Sequence, residues 1–259
     1  MRRILLVLIA LVLIGAAAFW VLTAPTTLAS ADLPDHTPDL ANGETLFWAG
    51  GCASCHAAPG AKGDDLMKLG GGAELGSPLG TFTVPNISPD TATGIGGWST
   101  VDFVNALRFG VSPEGEHFYP AFPYASYQHI ALEDLIDLKA FMDTLPAVDN
   151  RVAATALPFP FSIRRGIGLW KRLYVADPGF TPDPAFSETE NRGAYLVTGP
   201  GHCGECHTPR TLFFGMDQSR WLAGAPALEG TGTVPDITPG GKEISGWSAS
   251  DIAYYLESG

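Results

Sequence analysis

The chain has 259 residues, of which 46% are hydrophobic and only 16% are charged. Because nearly half of the chain can be buried, an intrinsically disordered protein is excluded. Acidic residues number 27 against 15 Lys and Arg, which argues against a nucleic-acid partner, since polyanions require clustered positive charge. The 31 glycines and 21 prolines far exceed average composition and predict short helices separated by long ordered loops.

The N-terminal part of the chain is an apolar export segment. Arg2 and Arg3 precede 19 uncharged residues, Ile4–Leu22, and positive charge at the start favours a cytoplasmic N-terminus. The small residues Ala29-Ser30-Ala31 fit the cleavage site of a signal peptide, whereas the apolar length and Trp20 fit an uncleaved spanning helix. The length favours the anchor. We expect the rest of the chain outside the cytoplasm, with 13 basic and 27 acidic residues and a net charge of −14.

All four cysteines lie in two Cys-x-x-Cys-His pentapeptides. These are Cys52-Ala-Ser-Cys55-His56 and Cys203-Gly-Glu-Cys206-His207. The motif attaches c-type haem, because two thiols add to vinyl groups on neighbouring pyrroles and the adjacent imidazole binds iron. A thioredoxin-type dithiol needs no histidine there, and a four-cysteine zinc site would have to join pairs 151 residues apart. The sequence therefore predicts two covalent haems, with His56 and His207 as iron ligands.

An internal repeat divides the remainder of the chain into two modules. Gly80–Pro89 matches Gly230–Pro239 at an offset of 150 residues, and Gly97–Asp102 matches Gly246–Asp251 at an offset of 149. Because the cysteines are offset by 151, one haem-binding module is duplicated with single-residue slips. The predicted segments, in chain order, are the anchor or signal (1–31), the first haem domain (32–146), a Pro-rich connection (147–185) and the second haem domain (186–259).

Each module is predicted to begin with a helix before its cysteines, over Leu40–Ala49 and over Arg192–Thr198. Gly43 and Gly193 occupy matching places in these helices. A glycine inside a helix costs stability relative to alanine, so its presence in both copies predicts close packing against another helix.

Two further helices are predicted from capping and periodicity. Ser99 and Ser248 are the predicted N-caps of a second helix in each module, each with an aspartate three residues later. A third helix, about Leu132–Leu145, is predicted in the first module, where Pro146 ends it. The pattern of the second module stops at Gly259, so we expect that domain to be incomplete and the native protein to be longer.

Four further motifs mark the two modules. They are Asn86-Ile-Ser-Pro, Gly96-Gly-Trp98, Tyr119-Pro-Ala-Phe-Pro-Tyr124 and Cys-Gly-Glu-Cys-His-Thr-Pro-Arg210. In combination they resemble the membrane-associated multi-haem cytochromes c, which include the electron-accepting subunits of periplasmic alcohol, aldehyde and gluconate dehydrogenases. The resemblance covers roughly residues 40–146 and 190–259, with two haem motifs where those subunits carry three. It implies a mainly α fold of two tandem cytochrome c-like domains behind a transmembrane helix, on the periplasmic side of a bacterial inner membrane.

The resemblance leaves the sixth ligand of the first haem open. Many relatives place a methionine where this chain has Phe122, which cannot bind iron, and others place it where this chain has Ile130. His129 is then the best candidate and predicts a bis-histidine haem of lowered potential. The weaker candidates are Met67, His117 and Met142.

Other residues are predicted to contact the haem propionates or edges. Trp98 and Trp247 occupy equivalent places, and each either donates its indole N–H to a propionate or packs over the haem edge. Arg210 is predicted to pair with a propionate of the second haem. A basic cluster in the connection binds propionates, lipid headgroups or an acidic partner, or is simply a solvated helix face, which is the favoured interpretation. It consists of Arg164, Arg165, Lys171 and Arg172.

Two classes of function remain. The favoured one is an electron-transfer protein, not an enzyme, that connects a periplasmic dehydrogenase or quinol-side donor to a terminal oxidase or another cytochrome. The alternative is a di-haem peroxidase, which needs an open iron position and nearby acid–base groups. The similarity of the two modules favours the carrier, and its acidic surface suits docking to a basic patch on a redox partner.

Overall fold

The computed structural model describes residues 1–175, 179–227 and 231–258, so Gly230 and Gly259 of the sequence patterns lie outside the described residues. Within these ranges the chain is mainly helical, as predicted, with two antiparallel hairpins. The helices are α1 (Arg2–Leu22), α2 (Leu40–Ala49), α3 (Cys52–His56), α4 (Thr100–Phe109), α5 (Tyr124–Tyr127), α6 (Leu132–Met142), α7 (Ile167–Tyr174), α8 (Glu188–Thr198), α9 (Gly204–His207) and α10 (Ala249–Ser258). The strands are β1 (Glu74–Ser77), β2 (Gly80–Thr83), β3 (Ala223–Pro226) and β4 (Thr233–Asp236).

The chain forms two compact units, Met1–Gly201 and His202–Gly259. Helix α8, which the repeat assigns to the second module, contributes Tyr195 to the hydrophobic core of the first unit. The Tyr195 ring lies 5.5 Å from the ring of Phe180, and its hydroxyl accepts a hydrogen bond from the Ala131 N–H. The repeat-based domain boundaries describe duplicated sequence, not compact packing, and stay a prediction.

The core of the first unit is built around the packing of α2 against α6. A Cβ at Gly43 would lie 2.3 Å from the carbonyl oxygen of Asp137, so the close helix approach predicted there is confirmed. At Gly193 the prediction is wrong, because a Cβ would meet nothing within 4 Å. Helix α8 packs through Tyr195, which points its ring into the core from another position on the helix.

Asp137 fixes the start of α2 to α6. The residue is 3% exposed, and its carboxylate accepts hydrogen bonds from the Asp39 N–H and the Asn42 side chain, both at 2.8 Å. His36 Nε2 lies 2.7 Å from the same carboxylate. These hydrogen bonds hold the pKa of Asp137 below its usual value against the opposing effect of burial. The carboxylate therefore stays charged and can serve as a fixed anchor point.

Capping and periodicity place the other helices of the first unit as predicted. Ser99 and Asp102 form a capping box at the start of α4. Helix α6 begins at Leu132 and ends at Met142, a little earlier than predicted, and its apolar face is buried. That face consists of Leu135, Leu138, Phe141 and Met142, with Leu145 buried just beyond the helix.

The second unit contains α9, the β3–β4 hairpin and α10. Ser248 accepts a hydrogen bond from the Asp251 N–H at 3.2 Å, and the Asp251 carboxylate accepts one from the Ser248 N–H at 2.7 Å. This reciprocal pair confirms the predicted N-cap. A Cβ at Gly204 would lie 2.2 Å from the ring of Trp221, so the indole packs directly on the backbone of α9.

The basic cluster of the connection is not a uniformly solvated face. Lys171 is 9% exposed, and its ammonium donates to the carbonyl oxygens of Phe109 and Gly110, both at 2.6 Å. Its nitrogen also lies 4.7 Å from the centre of the Tyr124 ring. Burial lowers the pKa of Lys171 to about 7. The solvated-face interpretation is therefore wrong for this residue, because the fold directs its side chain from α7 to the carbonyls at the end of α4.

Candidate haem sites

The first cysteine pair lies on the short helix α3. Gly51, with φ of 61°, starts this helix in the left-handed region that favours glycine. Cys52 is half-buried and Cys55 is exposed, and the two sulfurs are not joined to each other. Burial raises the pKa of the Cys52 thiol to about 12. One helical turn thus presents two thiols and, four residues after the first, the imidazole of His56.

His56 is held in one tautomer by the backbone. Its Nδ1 lies 2.8 Å from the carbonyl oxygen of Pro85, which can only accept, so Nδ1 carries the proton and Nε2 carries a lone pair. Burial lowers the pKa of His56 to about 4, although the Pro85 carbonyl opposes this shift. The imidazole is therefore neutral at pH 7, which is the state that binds iron.

Gly71 allows the Pro85 carbonyl to take this position. Its φ is 66°, and a Cβ there would lie 2.4 Å from the Pro85 oxygen. The Gly71 N–H donates to the carbonyl oxygen of His56 at 2.8 Å. A glycine thus joins the histidine and its acceptor through the backbone, and no sequence pattern had singled it out.

The second motif repeats the histidine geometry within its own unit. His207 ends α9, and its Nδ1 lies 2.8 Å from the carbonyl oxygen of Pro235. Pro85 and Pro235 are equivalent positions of the sequence repeat. Each histidine therefore donates from Nδ1 to a proline carbonyl, and this bond fixes the direction of the other ring nitrogen, Nε2. A hydrogen bond from the other ring nitrogen is the usual means by which proteins orient a ligating imidazole.

The donor set fits a covalently bound haem in both units. Each motif offers two cysteine sulfurs, on α3 in the first unit and at the start of α9 in the second, and an imidazole oriented by a bond from Nδ1 to a proline carbonyl. When bound, haem supplies an iron that changes its oxidation state by one electron. The protein residues supply the thiols for attachment and one axial nitrogen per site.

Comparison with known proteins agrees with this geometry. A sequence profile of the cytochrome c family matches residues 40–146. A diheme cytochrome c-type protein of Cereibacter sphaeroides is 52% identical over 260 residues, covering 100% of this chain and 86% of the relative. The chain belongs to the cytochrome c family. Its cofactor is accordingly c-type haem, and its function belongs to electron transfer.

Cytochrome subunits of dehydrogenases are also similar, as the sequence motifs predicted. The fructose dehydrogenase cytochrome subunit of Gluconobacter japonicus is 38% identical over 227 residues, which cover 86% of this chain and 46% of that subunit. The gluconate 2-dehydrogenase cytochrome c subunit of Pantoea cypripedii is 35% identical over 235 residues, covering 87% and 49%. The chain thus spans about half the length of these subunits. The peroxidase alternative gains no support from these relatives.

The two equivalent tryptophans have different surroundings. Trp98 is half-buried, packs against the core of the first unit and stacks on Phe118, with ring centres 6.4 Å apart and an angle of 22°. Trp247 is 41% exposed and packs edge-on against Tyr255, with ring centres 5.5 Å apart. Neither contact distinguishes packing over a haem edge from a bond to a propionate, and both roles stay predictions.

Arg210 forms hydrogen bonds to Glu205 of the second haem motif. Its guanidinium donates to the backbone oxygen of Glu205 at 2.6 Å and to the Glu205 carboxylate at 2.7 Å. Glu205 lies between Cys203 and Cys206, so this pair stiffens the turn that carries the thiols. The predicted pairing of Arg210 with a propionate stays a prediction.

The candidate axial ligands of the first haem fall into different environments. His129 is half-buried, and its Nδ1 donates to the carbonyl oxygen of Gly179 at 2.8 Å, so Nε2 is the ring nitrogen that this bond leaves for a metal. The assignment of His129 as the sixth ligand stays a prediction. The weaker candidates Met67 and Met142 pack in or against the hydrophobic core.

His117 is engaged elsewhere in the first unit. It is 3% exposed, and its Nε2 lies 2.9 Å from the carbonyl oxygen of Thr23, directly after α1. Phe122, where the resemblance leads one to expect a methionine, joins an aromatic cluster and makes edge contacts with Phe118, Tyr124 and Tyr127. Its ring takes part in packing and offers no atom that could bind iron.

Proposed function

We propose that this chain is a membrane-anchored di-haem cytochrome c that carries electrons on the periplasmic side of a bacterial inner membrane. Its donor is a dehydrogenase or a quinol-side protein, and its acceptor is a downstream cytochrome or a terminal oxidase. The observation that carries the proposal is the duplicated Nδ1 bond from His56 to Pro85 and from His207 to Pro235. The names of the relatives, a diheme cytochrome and cytochrome subunits of dehydrogenases, support the haem number and the class of donor.

The protein's own residues prepare each site for transfer without substrate binding. The proline carbonyls fix the imidazole rings and increase the basicity of Nε2, which favours the ferric state of a bound iron. Because the rings are fixed before and after transfer, little reorganisation accompanies a change of oxidation state. The net charge of −14 after residue 31 supports docking to a basic partner surface, with a rate that falls as salt rises.

Retention of the N-terminal helix is supported by the packing of the residues that follow it. Among the described residues, α1 is the one helix that is long and apolar enough to cross a membrane. Its mean hydropathy is 3.0, and none of its residues is buried against the rest of the protein. Thr23 is fully buried in the first unit. Leu28 exchanges two hydrogen bonds with the Asn105 side chain, at 2.8 and 3.0 Å. Cleavage after Ala31 would remove Thr23 and Leu28 from the packed unit, so we assign the segment as an anchor.

Five measurements on the native protein test this function. The pyridine haemochrome should give two haems per chain, and a denaturing gel should retain haem at the protein band. The intact mass should include residues 1–31. The dithionite-reduced protein should pass electrons to an oxidised basic cytochrome and should show no turnover of hydrogen peroxide. Turnover of hydrogen peroxide at a haem iron with an open position would show that the protein is a peroxidase and not an electron carrier.

A further inference from the structure

The connection after the first haem domain exposes apolar side chains next to the end of α1. Phe159 is 80% exposed and Leu173 is 66% exposed, and further exposed apolar side chains lie near them in the chain. A group of this kind marks an interaction site more than single exposed apolar residues do. We refer to the exposed group as the apolar platform. It consists of Phe159, Phe161, Ile163, Leu169 and Leu173, and the exposed Arg172 adjoins it on α7.

One face of helix α7 is buried against the first unit, and the opposite face is exposed and forms part of the apolar platform. A Cβ at Gly168 would lie 2.7 Å from the Cα of Thr23, so this face contacts the chain directly after α1. Lys171 is buried on the same side of α7. Leu169 and Leu173 are four residues apart and exposed together, because this spacing places them on one helix face. The helix is therefore amphipathic with its apolar side facing outward.

Two arginines join α7 and its preceding turn to the last carbonyls of α1. Arg165 donates to the hydroxyl of Thr23 at 3.0 Å and to the carbonyl oxygen of Trp20 at 2.7 Å, with its guanidinium 4.2 Å from the Trp20 ring centre. Arg172 donates to the carbonyl oxygen of Leu22 at 2.6 Å. These bonds satisfy carbonyls that a helix end leaves unpaired and place positive charge at its negative pole.

The loop that carries Phe161 is held at the same place. The hydroxyl of Tyr119 donates to the carbonyl oxygen of Phe161 at 3.0 Å, and the guanidinium of Arg164 lies 4.8 Å from the Tyr119 ring centre. Arg164 also donates to the carbonyl oxygen of His117 at 3.4 Å. Because His117 contacts Thr23, both parts of the platform are fixed relative to the end of α1.

The length of α1 sets the position of the platform relative to a bilayer. Its 21 residues span roughly 32 Å at the usual helical rise, close to the hydrocarbon thickness of about 30 Å. The end that carries Trp20 and Thr23 then lies at the outer interface, where tryptophan is favoured. Residues 151–175 carry five Lys or Arg and no Asp or Glu, although the exported chain as a whole is strongly acidic. Both the position and the charge match a phospholipid surface.

We infer that the apolar platform lies in the headgroup region of the outer leaflet, with its apolar side chains at the acyl boundary and Arg172 against lipid phosphates. This inference rests on the anchoring proposed above. The bonds from Arg165 and Arg172 then join the first haem domain to the bilayer at a fixed height and tilt, in contrast to a domain on a flexible stalk. A fixed orientation presents the same side of the haem domain to every membrane-bound partner.

Photo-crosslinking of the full-length holoprotein in vesicles tests this inference. The photoreactive residue p-benzoylphenylalanine is introduced at Leu173 or Phe159, and at Leu40 as a control. Leu40 is 49% exposed on α2 and belongs to none of the contacts described for the platform. The vesicles contain phosphatidylcholine with or without phosphatidylglycerol. We expect mass spectrometry to detect lipid adducts at Leu173 and Phe159 at least tenfold above the Leu40 control. Phosphatidylglycerol should increase the yield further, and the substitution Arg172→Gln should abolish this increase.

Each other outcome overturns the inference and can be separated from failure of the proposed function. Crosslinks to a second copy of the chain would assign the platform to a dimer interface. Equal lipid adducts at Leu40 and Leu173 would indicate a domain that tumbles on its anchor. A native protein whose mass lacks residues 1–31 would refute anchoring and the platform together, while the haem content and electron transfer remain measurable on the same sample.

Discussion

Gly43 and Gly193 occupy equivalent places of the repeat, yet the structure predicts opposite effects for the same substitution. In Gly43→Ala the new Cβ would lie 2.3 Å from the Asp137 carbonyl oxygen and 2.8 Å from the Phe141 Cβ, so α2 and α6 must separate. Overpacking of this kind costs up to about 3 kcal/mol, and the higher helix propensity of alanine returns about 1 kcal/mol. We therefore expect a net loss of about 2 kcal/mol. In Gly193→Ala only the propensity gain of about 1 kcal/mol remains, because nothing lies within 4 Å.

Thermal unfolding of the detergent-solubilised holoprotein, followed through Soret circular dichroism, measures both effects. For a unit of this size, 1 kcal/mol corresponds to a shift of about 2–4 °C, so Gly43→Ala should lower Tm by about 4–8 °C. Gly193→Ala should raise Tm by about 2–4 °C or leave it unchanged if α8 unfolds separately. Destabilisation of similar size by both substitutions would refute the assignment of the α2–α6 contact as the cause.

Three further predictions concern the charged and ligating groups. Burial lowers the pKa of Lys171 from 10.5 in the unfolded chain to about 7 in the folded protein. Between pH 7 and 10.5 the unfolded chain therefore binds one more proton at Lys171 than the folded protein does, and the free energy of unfolding should rise with pH in this range. Denaturant titrations should show this rise in the native protein and not in Lys171→Met. Gly71→Ala should displace the Pro85 carbonyl and raise the midpoint potential of the first haem in a redox titration. The matched change at Gly60, which also has positive φ but nothing within 4 Å, should leave that potential unchanged. His129→Ala should make the first haem bind carbon monoxide in the reduced state, and an unchanged low-spin spectrum would disprove this ligand.

The duplicated modules share their histidine geometry but not their wider surroundings. Trp98 is half-buried and packs against the core of its unit, whereas Trp247 is 41% exposed beside Tyr255. Arg210 bonds to Glu205 inside the second motif, where the first motif has a serine at the equivalent place. Bound haems in these two settings should differ in potential, because solvent exposure and nearby charge both influence iron. Two potentials in a redox titration of the native protein would agree with a directional carrier.

The structure also changes the interpretation of the basic cluster. Sequence reasoning treated its four side chains as one group and favoured a solvated face. Lys171 instead donates to two backbone carbonyls at the end of α4. Arg165 and Arg172 donate to carbonyls at the end of α1. The partners of these side chains lie 61 to 150 residues away along the chain. No local pattern contains such pairings.

The sequence by itself determined the features that depend on neighbouring residues. Cys-x-x-Cys-His attachment needs only one helical turn, capping at Ser99 needs only the residue three places on, and the face of α6 follows from a period of 3.6. Tertiary structure alone decided which carbonyl accepts from His56, that Gly43 and not Gly193 contacts another helix, and that Thr23 is buried. These features join positions far apart in the chain, and their energies arise from packing that periodicity cannot encode. The identity of the sixth iron ligand belongs to the same class, since it depends on which side chain the fold brings opposite His56.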